Sequence, residues 1–414
     1  MRALRVPAAL LTAGLLFAPA TPVSAQPARP APAAATAEGW IVVLKAPAGP
    51  AAAAAAVPTT ARELLARAPG ARLGHLYTAA LSGFSARLTR AQASRLAADP
   101  RVAYVQPDVR VSLDSGTLPA APATPAATVA PAATQPNAPW GLDRIDQRRL
   151  PLSTTYTYRT TADAVRVYVI DTGVRTTHAE FGGRASVGTD TVGDGRGGQD
   201  CHGHGTHMAG IATGAGYGVA KAARPVAVRV LDCTGSASTS GVIAGIDWVT
   251  ANAVRPAVAN MSLGGGASTA LDEAVRNSIR SGITYTVSAG SQARPDGACG
   301  TSPSRVAETV SVGASDRLDR RASSSNYGAC VSLFAPGVQI PSAWKDGDTA
   351  TATISGTSTA TAHAAGAAAL HLAFRPADTP AQVKAALVGN ATAGVLQGTP
   401  PVTPNRLLYT LYVP

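Results

Sequence analysis

Between Trp40 and Leu44 the chain reads Trp-Ile-Val-Val-Leu, an apolar run that predicts a buried strand. A short helix is expected over 58–67, strands over 72–78 and 82–88, a helix from a Thr89 cap to about Ala98, and a last strand at Val102–Val105. That order, strand-helix-strand-strand-helix-strand, is the order of a small ferredoxin-like α+β unit. From Trp140 onward the texture changes. Short apolar runs at Val165–Ile170, Ala227–Leu231, Ala257–Leu263, Ile283–Ala289 and Thr309–Val312 alternate with helical patterns. The helices are expected from Thr206, over 240–253 and 269–281, and over Ser358–Phe374. Continuous apolar strands separated by helices predict an α/β domain with a mostly parallel sheet covered on both faces, a three-layer arrangement. In such sheets functional residues gather beyond the carboxyl ends of the strands.

The ends and joints follow from composition. Arg2 and Arg5 precede an apolar run from Val6 to about Ala20, and Val23-Ser24-Ala25 supplies small residues for cleavage. This is the layout of a secretory signal peptide over 1–25, so export and no membrane anchor are expected. Residues 26–37 are Ala/Pro-rich and read as disordered, and 38–112 hold the small unit. Residues 113–136 are almost wholly Ala, Pro and Thr and read as a linker, leaving 137–414 as the second domain. With 46% hydrophobic residues in 414, the chain is rich enough to bury a core, which excludes global disorder. The net charge of +11 lies mostly in the N-terminal third, with no run of five like charges and few aromatics, so no nucleic-acid surface is expected. The four cysteines permit three pairings, and export would put them where disulfides persist.

Three motifs sit at strand or helix edges. Val169-Ile170-Asp171-Thr172-Gly173 ends a strand on a carboxylate. Gly203-His204-Gly205-Thr206-His207 puts an imidazole at a helix start, and Ser355-Gly356-Thr357-Ser358 puts a hydroxyl where a loop enters a helix. Each alone is unspecific, since a serine at a helix entry is ordinarily a cap. Together, in the order Asp171, His204, Ser358, they supply what acyl transfer needs: a nucleophile, a base to take its proton, and a carboxylate to orient the base. The imidazoles of His202, His204 and His207 also admit a metal-hydrolase reading, which the spacing supports less well.

With these motifs the chain resembles the subtilisin-like serine peptidases, most closely their proteinase K/aqualysin branch. Trp140-Gly141-Leu142-Asp143-Arg144-Ile145-Asp146-Gln147, Asp200-Cys201, Gly218-Val219-Ala220-Lys221, Val228 to Cys233 and Ser262 to Gly266 all carry the likeness, and residues 38–112 resemble that family's inhibitory propeptide. The resemblance implies a subtilisin-like fold and a secreted serine endopeptidase, made as a self-processing precursor that is cut between Asp114 and Asn137. It implies polypeptide substrates, the chain's own propeptide as inhibitor, a monomer and no catalytic cofactor. Ser262, Leu263 and Gly264 would pair with an extended substrate, Gly235, Ser236 and Ala237 would flank it, and Ser288, Ala289 and Gly290 would line the pocket before the cut. It further implies disulfides Cys201–Cys233 and Cys299–Cys330, and a structural calcium held by Asp143, Asp146, Gln147, Ser153 and Thr155.

The sequence departs from the family where the chemistry is most sensitive. Ser291 stands where the family places an Asn amide in the oxyanion hole, leaving the Ser358 backbone N–H as the other donor. Thr359 and Ala362 replace Met and Pro beside the nucleophile, Thr239 stands where the branch often has an aromatic, and His202 replaces Asn and is expected at the surface. Losing one side-chain donor typically costs about 10²–10³ in turnover. The expectation is a working peptidase of reduced rate; the alternative is a secreted pseudo-peptidase that binds peptides without cutting them efficiently.

Overall fold

The computed structural model describes residues 36–45, 50–113, 115–120 and 133–413. The expected signal peptide, Asp114 and most of the expected linker lie outside them. Strand Arg166–Asp171 lies within a nine-stranded sheet. Its order is Ser186–Asp190, Arg224–Arg229, Arg166–Asp171, Ala257–Met261, Thr284–Ser288, Val310–Ser315, Leu333–Pro336, Arg406–Leu407 and Thr392–Ala393. All neighbours run parallel except the last pair.

The alternation along one strand explains the layers. Val167 and Val169 enter one core, with Met208 and Ile211 of helix His204–Thr213 and the alanines of helix Thr357–Phe374. Tyr168 and Ile170 enter the other, with Val242 and Ile246 of helix Thr239–Asn252 and Leu271 and Val275 of helix Thr269–Arg280. A strand buried on both faces needs no polar side, which is why these runs read as continuous hydrophobics. The expected run Ala257–Leu263 is divided: Ala257–Met261 stays in this sheet, while Leu263–Gly266 leaves it after Ser262.

The N-terminal unit has the expected α+β order. Its sheet runs Arg72–Tyr77, Gly83–Leu88, Glu38–Leu44, Val102–Pro107. Thr89 caps helix Arg90–Ala97 through a reciprocal box with Gln92. The other helix, Pro50–Ala66, begins eight residues before the expected start because the Ala run extends it. Strand Glu38–Leu44 also alternates. Val42 and Leu44 pack on the unit's own helices, whereas Ile41 and Val43 join the second core of the large domain.

Polar anchors fix this docking. The Asp247 carboxylate accepts backbone N–H bonds from Thr78 at 3.0 Å, Ala79 at 2.8 Å and Ala80 at 2.7 Å. Asp108 accepts from Ser240 N at 2.9 Å and Ser240 Oγ at 2.6 Å, adding an anion at the start of helix Thr239–Asn252. Tyr104 Oη donates to Glu273 Oε2 at 2.7 Å. Two described parts of the expected linker are strands: Ser115–Ala120 pairs with Thr351–Gly356, and Ala133–Pro136 pairs with Thr155–Tyr158. Strand pairing uses backbone groups, so composition did not reveal it.

Charge-assisted bonds to a half-closed nest are among the stronger ones. Asp247→Asn therefore weakens the Thr78–Ala80 clamp, and hydrogen exchange of these amides is expected to accelerate about tenfold or more, with the central sheet unchanged.

Candidate active site

The central strand ends on Asp171, which is fully buried, and the helix beginning at His204 is set against it. Gly205 makes this approach possible, because a Cβ there would collide with the Gly173 carbonyl oxygen and lie 3.2 Å from Asp171 Cβ. His204 Nδ1 lies 2.8 Å from Asp171 Oδ1 and 2.9 Å from Oδ2. A carboxylate accepts, so Nδ1 carries the proton and Nε2 is free to act as a base. Asp171 Oδ1 also accepts from Thr172 N at 2.8 Å.

Asp200 organises the same corner, a role the sequence reading did not assign to it. Its carboxylate accepts from His202 N, Gly203 N, Thr206 N, Thr172 Oγ1 and Thr206 Oγ1 at 2.6–2.9 Å. An acidic residue just before a helix is a recognisable capping signal. The Cys201–Cys233 bond then ties this loop to the segment after strand Arg224–Arg229, and Cys299–Cys330 forms the second disulfide.

Ser358 is the second residue of helix Thr357–Phe374, which packs on the helix that His204 opens. Its Oγ donates to the Ser262 carbonyl at 3.3 Å, and Ser262 Oγ donates back to the Ser358 carbonyl at 3.1 Å. His204 Nε2 is buried and has no hydrogen-bond partner among the described residues. The structure thus joins Asp171 to His204 and holds Ser358 with its hydroxyl turned onto Ser262.

An extended segment runs through the cleft. Strand Arg110–Leu113 lies antiparallel between Ser236–Ser238 and Leu263–Gly266, pairing Val111 with Ala237 and Gly265, and Leu113 with Leu263. The Leu113 side chain sits over Gly235, whose Cβ would fall 2.6 Å from Leu113 Cδ1. Thr239 is buried and donates both its N–H and its hydroxyl to the Val109 carbonyl.

Behind the nucleophile lies a chain of hydroxyls. Ser288 Oγ and Ser291 Oγ lie 2.6 Å and 2.9 Å from Thr357 Oγ1, and Thr357 N donates to Ser291 Oγ at 3.1 Å. Ala289 is buried and Gly290 has φ 98°. Ser291 is therefore engaged with Thr357. Thr359 Oγ1 donates to the Gly356 carbonyl at 2.8 Å, and Ala362 is buried, so both substitutions fit the helix packing.

The histidines do not converge on a metal. His207 Nε2 bonds the Ile340 and Ala352 carbonyls, each at 3.1 Å, and burial lowers its pKa to about 3. His202, expected at the surface, is half-buried instead, edge-on to His204 with ring centres 6.3 Å apart. Burial, then the charge of His204, lowers its pKa. Among the described residues, only Asp194, Cys201 and Cys233 cluster as metal ligands would, and both sulfurs are in the disulfide.

Two separate sets of hydrogen bonds hold the oxygen-rich loop. Asp143 accepts from Ser153 N and Oγ at 3.0 Å and 2.9 Å and from Thr154 N at 2.7 Å, and Ser153 Oγ lies 2.8 Å from Thr155 Oγ1. Asp146 Oδ2 accepts from Thr157 N at 2.6 Å, while its Oδ1 is buried without a partner. Gln147 Nε2 donates to the Arg149 and Pro151 carbonyls. Burial pushes Asp146 up to about 6, with the Thr157 N–H opposing and Asp143 adding.

A profile of the subtilase family matches residues 162–405, and a peptidase inhibitor I9 profile matches residues 40–114. An extracellular serine proteinase of Thermus sp. (strain Rt41A) is 51% identical over 341 residues, 82% of this chain and 78% of that protein. Alkaline serine exoprotease A of Vibrio alginolyticus is 48% identical over 80% of this chain, a match spanning 59% of that protein's length. The crystal structure of a cold adapted subtilisin-like serine proteinase superposes with a TM-score of 0.64 at 52% identity, covering 66% of this chain and 98% of that one.

The raised pKa of Asp146 means that the fold binds this proton more tightly than the unfolded chain does. Its charged form subtracts stability above about pH 6, and the loss fades as pH falls through that value. In chelator at pH 8, Asp146→Asn is expected to melt above wild type, the gap closing by about pH 4 in calorimetric scans.

Proposed function

Because the chain belongs to the subtilase family of serine proteinases and carries an inhibitor I9 unit that serves such enzymes as an intramolecular inhibitor, we propose that Asp171, His204 and Ser358 are its catalytic triad. The observation that carries this reading is the buried His204–Asp171 hydrogen bond, made from a helix that packs on the helix carrying Ser358, with an extended polypeptide already seated in the cleft. Rotation of the Ser358 side chain away from the Ser262 carbonyl offers Oγ to His204 Nε2. His204 then takes the hydroxyl proton as Oγ attacks the peptide carbonyl, and returns it to the leaving amine. Asp171 stabilises the imidazolium. Water cleaves the resulting ester by the same route, without a cofactor.

Substrate would lie as Arg110–Leu113 does, between Gly235–Ala237 and Ser262–Gly264, an added strand whose backbone bonds supply affinity. Ser288, Ala289 and Gly290 would border the pocket before the cut. The Ser358 N–H is the backbone donor of the oxyanion hole. Ser291, bonded to Thr357, shapes this corner instead of pointing a donor at the developing charge, which supports a reduced rate. The proposed boundaries are 1–25 signal peptide, 38–112 inhibitor, 113–136 connection and 137–414 peptidase. The apolar leader, the two disulfides and the named extracellular relative support secretion, and among the described residues no helix is long and apolar enough to cross a membrane. We propose that the mature enzyme is a monomer, as the family resemblance implies.

Asp143, Asp146, Gln147, Ser153 and Thr155 fit a structural calcium site. A hard cation would satisfy the partnerless Asp146 oxygen and offset the charge burial there.

Three outcomes test these roles. Wild-type precursor is expected to release its N-terminal unit, whereas Ser358→Ala remains full-length after leader removal, as read by intact mass. Ser291→Asn should raise kcat by about tenfold or more with little change in KM, because the new donor acts at the transition state. Calcium should raise the melting temperature of wild type but not of Asp146→Asn.

A further inference from the structure

Strand Arg110–Leu113 shows its two faces to different surroundings. Val111 is buried and Leu113 sits over Gly235, whereas Arg110 and Ser112 are exposed. The backbone is held one residue further than the strand pairing. Arg110 lies opposite Ser238, and Thr239 then donates its N–H at 2.8 Å and its hydroxyl at 2.9 Å to the Val109 carbonyl. Any strand seated in this way returns the side chain in Arg110's place to the same ground.

That ground is a cavity of about 490 Å³ beside strand Ser236–Ser238. The N-terminal unit lines it with Asp108 and Arg110, and the large domain lines it with Thr191, Val192, Val230 and Asp232. Asp108 is spent on Ser240 and leaves with the N-terminal unit, so Asp232 is the acid that the large domain itself supplies. Asp232 Oδ1 accepts from Thr234 N at 2.8 Å, Thr234 Oγ1 at 2.6 Å and Ser236 N at 3.1 Å. These bonds fix the carboxylate, while its Oδ2 has no hydrogen-bond partner among the described residues. Burial raises the Asp232 pKa, but the bonds from Thr234 and Ser236 and the charge of Arg110 outweigh it. The carboxyl is held below its ordinary value and is ionised at neutral pH. Arg110 acts on it by charge rather than by a hydrogen bond, so the attraction has the modest size of an exposed pair.

Taking the cleft to hold substrate as it holds Arg110–Leu113, the reading proposed above, we propose that Asp232 selects a cationic side chain, lysine or arginine, at the substrate residue in Arg110's place. That residue lies three before the one seated over Gly235. The open cavity admits a long side chain, Thr239 fixes the backbone beside it, and Asp232 supplies the opposite charge. The selection acts on binding, remote from the Ser358 hydroxyl, so it changes KM and leaves kcat alone. Salt weakens it, because the charges meet through solvent.

The test uses three peptide anilides that copy residues 109–113 and add one phenylalanine carrying the anilide. They differ only in Arg110's place, which holds arginine, glutamine or glutamate. Two proteins are freed of the N-terminal unit, by self-processing or by limited proteolysis. Wild type reports hydrolysis, and Ser358→Ala reports peptide binding by fluorescence anisotropy. At low salt the arginine peptide is expected to show a KM and a Kd about threefold or more below those of the glutamate peptide, with glutamine between them and kcat alike. In 1 M salt the spread should close. Asp232→Asn keeps an oxygen for Thr234 and Ser236 and should bring the three peptides level, as should Asp232→Ser if the first variant does not fold. Equal values for the arginine and glutamate peptides in wild type and in Ser358→Ala overturn the subsite. A preference that survives both substitutions overturns Asp232 as its source. Freed wild type that cleaves no peptide overturns the triad reading, a separate failure, because the binding series on Ser358→Ala still ranks the peptides.

Discussion

The hydrogen bond between His204 Nδ1 and the buried Asp171 carboxylate is the constraint on which the large domain depends. Asp171 sits there because a parallel strand, apolar on both faces, ends at that residue. His204 sits there because Gly205 lets a helix start against the strand end, and because Asp200 gathers the donors of the loop before it. Ser358 comes from a third element, a helix of Ala, Gly and Thr thin enough to lie over the sheet. None of the three side chains is near another in sequence. The sheet brings their elements to one edge, where a strand end and two helix starts face the same cleft.

The same backbone logic explains inhibition. An enzyme that holds substrate by strand addition is blocked by any extended chain that pairs first. The N-terminal unit presents such a chain and fixes it from a distance, through the Asp247, Asp108 and Glu273 carboxylates and the apolar face of Ile41 and Val43. Asp108 of the N-terminal unit bonds Ser240 at the start of helix Thr239–Asn252, and Asp247 lies within that helix, so the inhibitor's position is registered to the element that leads out of the cleft strand Ser236–Ser238.

Much of this was legible in the residues. The run Val165–Ile170 announced a two-sided buried strand, and Thr89 with Gln92 announced a capped helix. Leu333–Pro336 and Ser186–Asp190 were not read as strands. Both are short, and the second is an edge strand with polar residues. Ser115–Ala120 carries linker composition, and its pairing depends on what lies opposite rather than on its own side chains. The N–H nest around Asp247 is equally silent, since any residue has an amide. Asp171, His204 and Ser358, the proposed triad, were readable as motifs, but the engagement of Ser291 with Thr357 and the half-buried setting of His202 required three dimensions.

The claim that matters most is that His204 activates Ser358. Fluorophosphonate labelling, mapped by peptide mass spectrometry on processed wild type and on a His204→Ala variant matured in trans by added wild type, tests it most directly. A single adduct on Ser358 in wild type, formed at least about 10³-fold more slowly without the imidazole, is the result expected. No adduct at Ser358, or the same rate in both proteins, would contradict it.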